Sequence, residues 1–151
     1  NGRGAARYRY RVKARNGSGD SEWSNVEWVD VLWEAEPNDS ALSQANGPIV
    51  SDVVYYGTFP NAEDEKDYFT FDMSTVHSVE LWLTRIPSGH DYDLVLRDAD
   101  AVTEIGRSAK REGTTEHIFI DSRAPGRYYI QVYHWSSGGS PQPYHLRVVY
   151  E

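Results

Sequence analysis

From residue 53 to residue 150 the chain repeats one pattern: short runs rich in β-branched and aromatic residues, separated by clusters of Gly, Pro, Ser, Asp and Asn. The runs are Val53 to Tyr56, Asp67 to Phe71, Val79 to Thr84, Tyr92 to Leu96, Glu116 to Ile120, Arg127 to Trp135 and Tyr144 to Tyr150. Such side chains pack well on a pleated surface, so each run predicts a strand. Many short strands bounded by turns predict an all-β fold, an antiparallel β-sandwich of jelly-roll-like form, and argue against an α/β fold. The one helical candidate, Ser40 to Ala45, is a turn or two behind an Asp39 or Ser40 cap.

At 151 residues the chain has room for about one domain with a real core. The absence of Cys excludes a disulfide scaffold, a thiolate zinc site and a Cys nucleophile together. No apolar run reaches the roughly 18 residues a membrane helix needs, and no N-terminal signal pattern is present, so no membrane partner is expected. The opening Asn1-Gly2-Arg3-Gly4 reads as the start of an excised piece.

Charge divides the chain. Arg3, Arg7, Arg9, Arg11, Lys13 and Arg15 are the only charges in the first sixteen residues, whereas the whole chain is acidic, with 23 Asp+Glu against 15 Lys+Arg and a net charge of -8. Alternation from Tyr8 to Arg15 sets Tyr8, Tyr10, Val12 and Ala14 on one face of a strand and four cations on the other. Asn16 to Asp20 turns the chain, and Trp23 to Val31 returns as a second strand. A hairpin alone is marginal in water, so this one is expected to pack on the following domain or on another chain, or to be partly disordered. One basic strand face on an acidic chain, without an RNA-binding motif, does not make a nucleic-acid partner.

Between hairpin and sandwich, Glu34-Ala35-Glu36-Pro37-Asn38-Asp39-Ser40 concentrates oxygen-bearing side chains, and Asp64 and Asp67 add an acidic pair on a later loop. Calcium takes about six to eight oxygens in flexible geometry, which two such loops supply together. Pro37 stiffens the run and Asn38 adds a neutral oxygen. An acidic cluster on an acidic chain is as readily a solvated surface, and both readings stand on residue chemistry alone.

A second candidate lies on the strand from Arg127. Its alternation puts Tyr128, Ile130 and Val132 on a core face and Tyr129, Gln131, Tyr133 and Trp135 on the other. Flat rings with a polar handle give large contact area at low entropic cost, which suits binding to a polymer. The same rings could instead pack beneath the hairpin or form a second layer. Catalysis finds little support, because His77, His90, His117, His134 and His145 are scattered over different strands and loops and none sits in a recognised hydrolase motif.

Two resemblances are legible. Residues 7–31, with Tyr8-x-Tyr10-Arg11-Val12-x-Ala14-x-Asn16 and then Gly19-x-Ser21-x-Trp23-Ser24, resemble the last two strands of a fibronectin type III domain, which sets residues 1–32 apart from a domain spanning 33–151. From Glu34 to Tyr150 the ordered elements Glu36-Pro37-Asn38-Asp39-Ser40, Asp64 to Phe71, Asp91-Tyr92-Asp93-Leu94, Pro125-Gly126 with Tyr128-Tyr129-Ile130, and Tyr144 to Val148 resemble the bacterial pre-peptidase C-terminal domain. They look most like the branch that includes the collagen-binding domains of clostridial collagenases.

That resemblance implies a non-catalytic β-sandwich module attached to a secreted bacterial peptidase or other hydrolase, with the parent catalytic domain as a partner within the longer chain. It implies Ca²⁺ held by Glu34, Glu36, Asn38, Asp39, Thr58, Asp64 and Asp67, with Glu63 the alternative to Asp64. It also implies contact with an extracellular polymer, collagen ahead of polysaccharide, through Tyr133, with Tyr129 and Trp135 on the same face and Tyr144 as a further candidate. A calcium-stabilised spacer that assists folding or secretion is the competing class.

Overall fold

The computed structural model describes residues 6–135 and 138–150, and the side chains of all of these except 6–8 and 27–30. The opening residues Asn1 to Gly4, including Arg3 of the basic stripe, lie outside the described residues.

The strands are β1 (Ala6–Tyr10), β2 (Arg15–Asn16), β3 (Gly19–Asp20), β4 (Glu27–Trp33), β5 (Val53–Gly57), β6 (Lys66–Met73), β7 (His77–Thr84), β8 (Tyr92–Arg97), β9 (Glu104–Ser108), β10 (Glu116–Arg123), β11 (Gly126–His134) and β12 (Tyr144–Tyr150). The helix predicted at 40–45 is the single turn α1 (Ala41–Gln44). Two sheets form the sandwich, ordered β1-β4-β5-β12-β7-β10 and β6-β11-β8-β9. Every pairing is antiparallel except β4 with β5.

Each long strand contributes one parity of its residues to the core. Phe69, Phe71 and Met73 of β6, Leu94 and Leu96 of β8, and Tyr128, Ile130 and Val132 of β11 meet Val79, Leu81 and Leu83 of β7 and Leu146 and Val148 of β12. The inward parity of β6 and β12 does not stop at apolar residues. It continues to Asp67 and Tyr144, both fully buried at the same end of the sandwich, and that continuation positions the site described below.

On the outer face of the larger sheet, cross-strand neighbours stack in two rows. Trp33, Tyr56 and His145 lie 5.4 and 4.4 Å apart between ring centroids, and Trp82 is flanked by the Arg147 guanidinium at 4.8 Å and the His117 ring at 5.2 Å. These rings use much of their surface on one another, the cross-strand pairing that stabilises sheets.

The hairpin forms and joins the sandwich, because β1 pairs with β4 and the end of β4, Leu32 and Trp33, pairs with Tyr55 and Tyr56. Its predicted apolar face is not a buried one: Tyr10 is 52% and Val12 64% exposed. The contacts run through the cations instead, with the Arg11 guanidinium 4.2 Å and the Lys13 ammonium 5.2 Å from the Trp23 ring. Among the described residues no second layer lies over Tyr10 and Val12, so alternation there marks a face without a core to meet.

Candidate functional site

The acidic segment between β4 and α1 is tied down along the sandwich. Glu34 N–H donates to the Tyr56 carbonyl, Tyr68 N–H donates to the Asn38 carbonyl at 3.0 Å, and the Asn46 side chain holds both backbone groups of Ala35. These bonds lay residues 34–38 against β6 beside Asp67. From the other side, the Asn61 side-chain oxygen accepts from Glu63 N–H and Asp64 N–H, a turn that aims Asp64 inward while Glu63 stays exposed. Glu63 and Asp64 both line the cavity described below, and Asp64 is the more buried of the two.

Tertiary packing brings Glu34, Glu36 and Asp67 together, with one carboxylate oxygen of each within 4.8 Å of the others. Glu34 is 5% exposed, and Asn38 and Asp67 are fully buried. Glu34 and Glu36, together with Asp39, Glu63 and Asp64, line an acidic cavity of about 680 Å³. Thr58 lies at the rim with its hydroxyl turned to Glu34: both Thr58 N–H and Oγ1 donate to Glu34 Oε1.

The electrostatics of the cluster are unfavourable in the absence of a cation. Burial pushes the Glu34 carboxyl up to about 7, with the Glu36 charge adding to it. Burial and then the charges of Glu36 and Asp39 carry Asp64 to about 7 as well. Asp67 lies well above the ordinary carboxylate range, because it is desolvated first and repelled by Glu34 second. Glu36 is raised, mainly by burial.

Two features show what would relieve the strain. Both carboxylate oxygens of Asp64 are shielded from solvent and have no hydrogen-bond partner, an arrangement that is costly for a carboxylate left alone. The Asn38 side-chain oxygen faces Asp67 Oδ1 at 2.8 Å and Glu36 Oε2 at 3.2 Å, acceptor against acceptor. Rotating that amide would repair the second feature. A hard cation among these oxygens would repair both, and an oxygen-only donor set from flexible carboxylates and one amide suits calcium. By donor chemistry, the residues fit the ion.

Tyr144 requires a correction. The resemblance offers it as a further ligand-binding candidate, but it is fully buried and its hydroxyl donates to Asp67 Oδ2, with Glu34 Oε2 at 3.2 Å. Its parity matches Leu146 and Val148, a signal already present in the sequence. Gly57 shapes the same end of the sandwich. A methyl group there would overlap the Tyr144 ring and the Glu34 carboxylate, so only glycine lets the two approach. Gly57→Ala is expected to cost about 1–3 kcal/mol by overpacking, read as a lower urea midpoint at unchanged slope; an unchanged midpoint would mean that the Tyr144 ring moves aside freely.

The aromatic stripe of β11 lies on the outer face of the smaller sheet as its alternation predicts, but unevenly exposed. Trp135 is 61% exposed and Tyr133 is half-buried, while Tyr129, at 7%, is covered and backs the surface instead of presenting one. Its cross-strand neighbours are Thr70 and Arg97. The rest of that face is pinned by arginines: Arg97 donates twice to Gln131 Oε1 at 2.9 and 2.6 Å, and Arg127 grips Asp72 with two bonds of 2.8 Å. Tyr133 and Trp135 open onto a groove of about 340 Å³, walled opposite by Arg107, Lys110 and Arg111. The five histidines have separate neighbours: Thr75 for His77, the Gly138 carbonyl for His90, Glu80 for His117, Phe59 for His134 and Tyr56 for His145.

Residues 65–134 match the family model of the bacterial pre-peptidase C-terminal domain. Collagenase ColT of Clostridium tetani is 33% identical over 106 residues, 69% of this chain, and the chain spans about one tenth (10%) of that relative's length. Among solved structures, the pre-peptidase C-terminal domain of a collagenase from Bacillus anthracis superposes with a TM-score of 0.56 at 20% identity, over 73% of this chain and 99% of that one. PliG of Aeromonas hydrophila, a periplasmic inhibitor of g-type lysozyme, gives 0.51 at 19% identity over 66% and 85%. At such identities the two structures speak for the fold alone.

Proposed function

Since residues 65–134 place this chain among the bacterial pre-peptidase C-terminal domains, we propose that it is a non-catalytic accessory module of a secreted bacterial hydrolase, holding the enzyme on an extracellular polymer, collagen ahead of polysaccharide. The observation that carries the reading is the match to a segment amounting to a tenth of a collagenase, a share that suits an appended module better than a catalytic unit. The β1/β4 hairpin is then the tail of a preceding fibronectin type III-like unit, with residues 33–151 as the module proper.

Calcium belongs to the same proposal. Glu34, Glu36, Asn38, Asp64 and Asp67 would hold it, with Asp39 beside them; Thr58 acts through Glu34. The ion supplies the positive charge that lets these carboxylates share one cavity. The protein's own groups do the rest: Tyr144 and Thr58 orient Asp67 and Glu34, and Asn46 keeps the acidic segment down. The site therefore staples linker to sandwich and sets the direction in which the preceding unit leaves.

Polymer contact falls to Tyr133 and Trp135, the two members of the stripe with accessible rings. Co-sedimentation with insoluble collagen, gelatin, chitin and cellulose tests this. Wild type is expected to be retained on collagen, and Tyr133→Ala to weaken retention at least tenfold, the scale for an aromatic anchor worth about 2 kcal/mol or more. Retention on chitin or cellulose in place of collagen would make the ligand a polysaccharide. Retention on none would leave the calcium-stabilised spacer as the function.

A further inference from the structure

Tyr133 is flanked on two sides by residues that the aromatic stripe itself does not include. Arg107, on edge strand β9, lies beside Val95 of β8 and reaches over that strand to β11, where Nη1 donates to the Tyr133 hydroxyl at 2.6 Å. The guanidinium is itself fixed, because Nε and Nη2 grip both oxygens of Glu104 at 3.1 and 2.6 Å. Asp93, the cross-strand partner of Tyr133 on β8, adds a carboxylate beside the phenol that favours its protonated form. Burial and the Asp93 contact hold the Tyr133 phenol up at about 12, so it keeps its proton and the chain Glu104, Arg107, Tyr133, Asp93 stays intact.

We propose that Arg107 and Asp93 are the positioning residues of the polymer-binding face: they set the Tyr133 ring upright at the groove it shares with Trp135, and Tyr133 meets the polymer with its ring and not with its hydroxyl. This rests on the reading of that face as the binding face. The physical gain is preorganisation. A side chain ordered before binding avoids the roughly 0.5–1.5 kcal/mol cost of immobilising it in the complex, equivalent to about three- to tenfold in affinity. The cost of ordering is met in the free protein by charge-assisted bonds, which are short and directional.

The test uses the full chain, with wild type, Arg107→Met, Arg107→Lys, Tyr133→Phe, Tyr133→Ala and the Arg107→Met/Tyr133→Phe double variant. Binding to insoluble collagen is measured beside the melting temperature and the NMR signals of the Tyr133 ring. Arg107→Met and Tyr133→Phe are each expected to weaken binding about three- to tenfold. The double variant should be no weaker than either single one, because both remove the same restraint. Arg107→Lys, which can still donate to the phenol, should recover part of the loss. Melting temperatures should hardly move, since Arg107 and Glu104 lie at the surface, whereas the Tyr133 ring should flip faster in Arg107→Met.

Additive losses in the double variant would mean that the hydroxyl or the guanidinium touches the polymer itself, and would overturn the proposal. So would Arg107→Met binding as wild type does while Tyr133→Ala fails. If Tyr133→Ala binds normally and Arg107→Met does not, Arg107 is a contact residue and the positioning role falls. Wild type retained on no polymer removes the binding reading of the face, and this role with it.

Discussion

Millimolar calcium is expected to raise the melting temperature by about 10 °C at pH 8 and by much less at pH 5. The size follows from mass action: a ligand at about 100 times its dissociation constant stabilises by about 2.7 kcal/mol, and each kcal/mol moves a domain of this length by several degrees. The pH dependence follows from the carboxylates. Glu34 and Asp64 have folded-state values near 7, above their ordinary 4.5 and 3.8. Between about pH 4 and 7 the metal-free native state therefore binds more protons than the unfolded chain, and stability falls as pH rises through that window. The contribution is fully present below the ordinary values and is lost as the folded values are passed.

Calcium reverses the sign, because it needs the same groups ionised. In EDTA the melting temperature should drop from pH 5 to pH 8, and in calcium it should hold or rise. Proteolysis of the segment around Glu36 should slow in calcium at pH 8. A metal-free melting temperature that is flat across this range, together with a calcium effect equal at both ends, would reduce the acidic cavity to ordinary surface.

Asp67→Asn should separate the two roles of the site by acting in opposite directions. In EDTA at pH 8 the variant is expected to melt about 5 °C above wild type. Asp67 is fully buried and faces Glu34, and burial with that neighbour holds its carboxyl well above the ordinary range; replacing it by a neutral isostere removes a desolvated, repelled charge. The amide oxygen still accepts from the Tyr144 hydroxyl, so packing at that end is preserved. In millimolar calcium the order should invert, with wild type the more stable, because the variant has lost a ligand that no neighbour replaces. Differential scanning fluorimetry in EDTA and in calcium reads both arms. A variant destabilised in EDTA and still responsive to calcium would show that Asp67 matters for packing and not for the ion.

Period-two alternation made most strands legible, since any strand with one face on a core must show it. Seven of the runs picked out from Val53 onward correspond to β5, β6, β7, β8, β10, β11 and β12. β9 escaped because Glu104-Ile105-Gly106-Arg107-Ser108 carries a single β-branched residue and sits at the edge of its sheet, where little of it is buried. That omission also hid Arg107 and Glu104, and with them the reason that Tyr133 is fixed. Tyr144 was misplaced for a different cause. Read singly it is an aromatic at a strand start, and only its parity with Leu146 and Val148 sends it inward.

By itself, the order of residues determined the all-β character, the strand positions, and the acidic segment and loop from which a cation site would be assembled, because these depend on local alternation, on turn residues and on runs of one chemistry. Packing of the two sheets decided the rest. It turned Asp67 and Tyr144 into the end of the core, left both Asp64 oxygens without a partner, covered Tyr129 and left Trp135 open. Desolvation and mutual repulsion depend on distances between residues far apart in the chain, and no local pattern carries those distances.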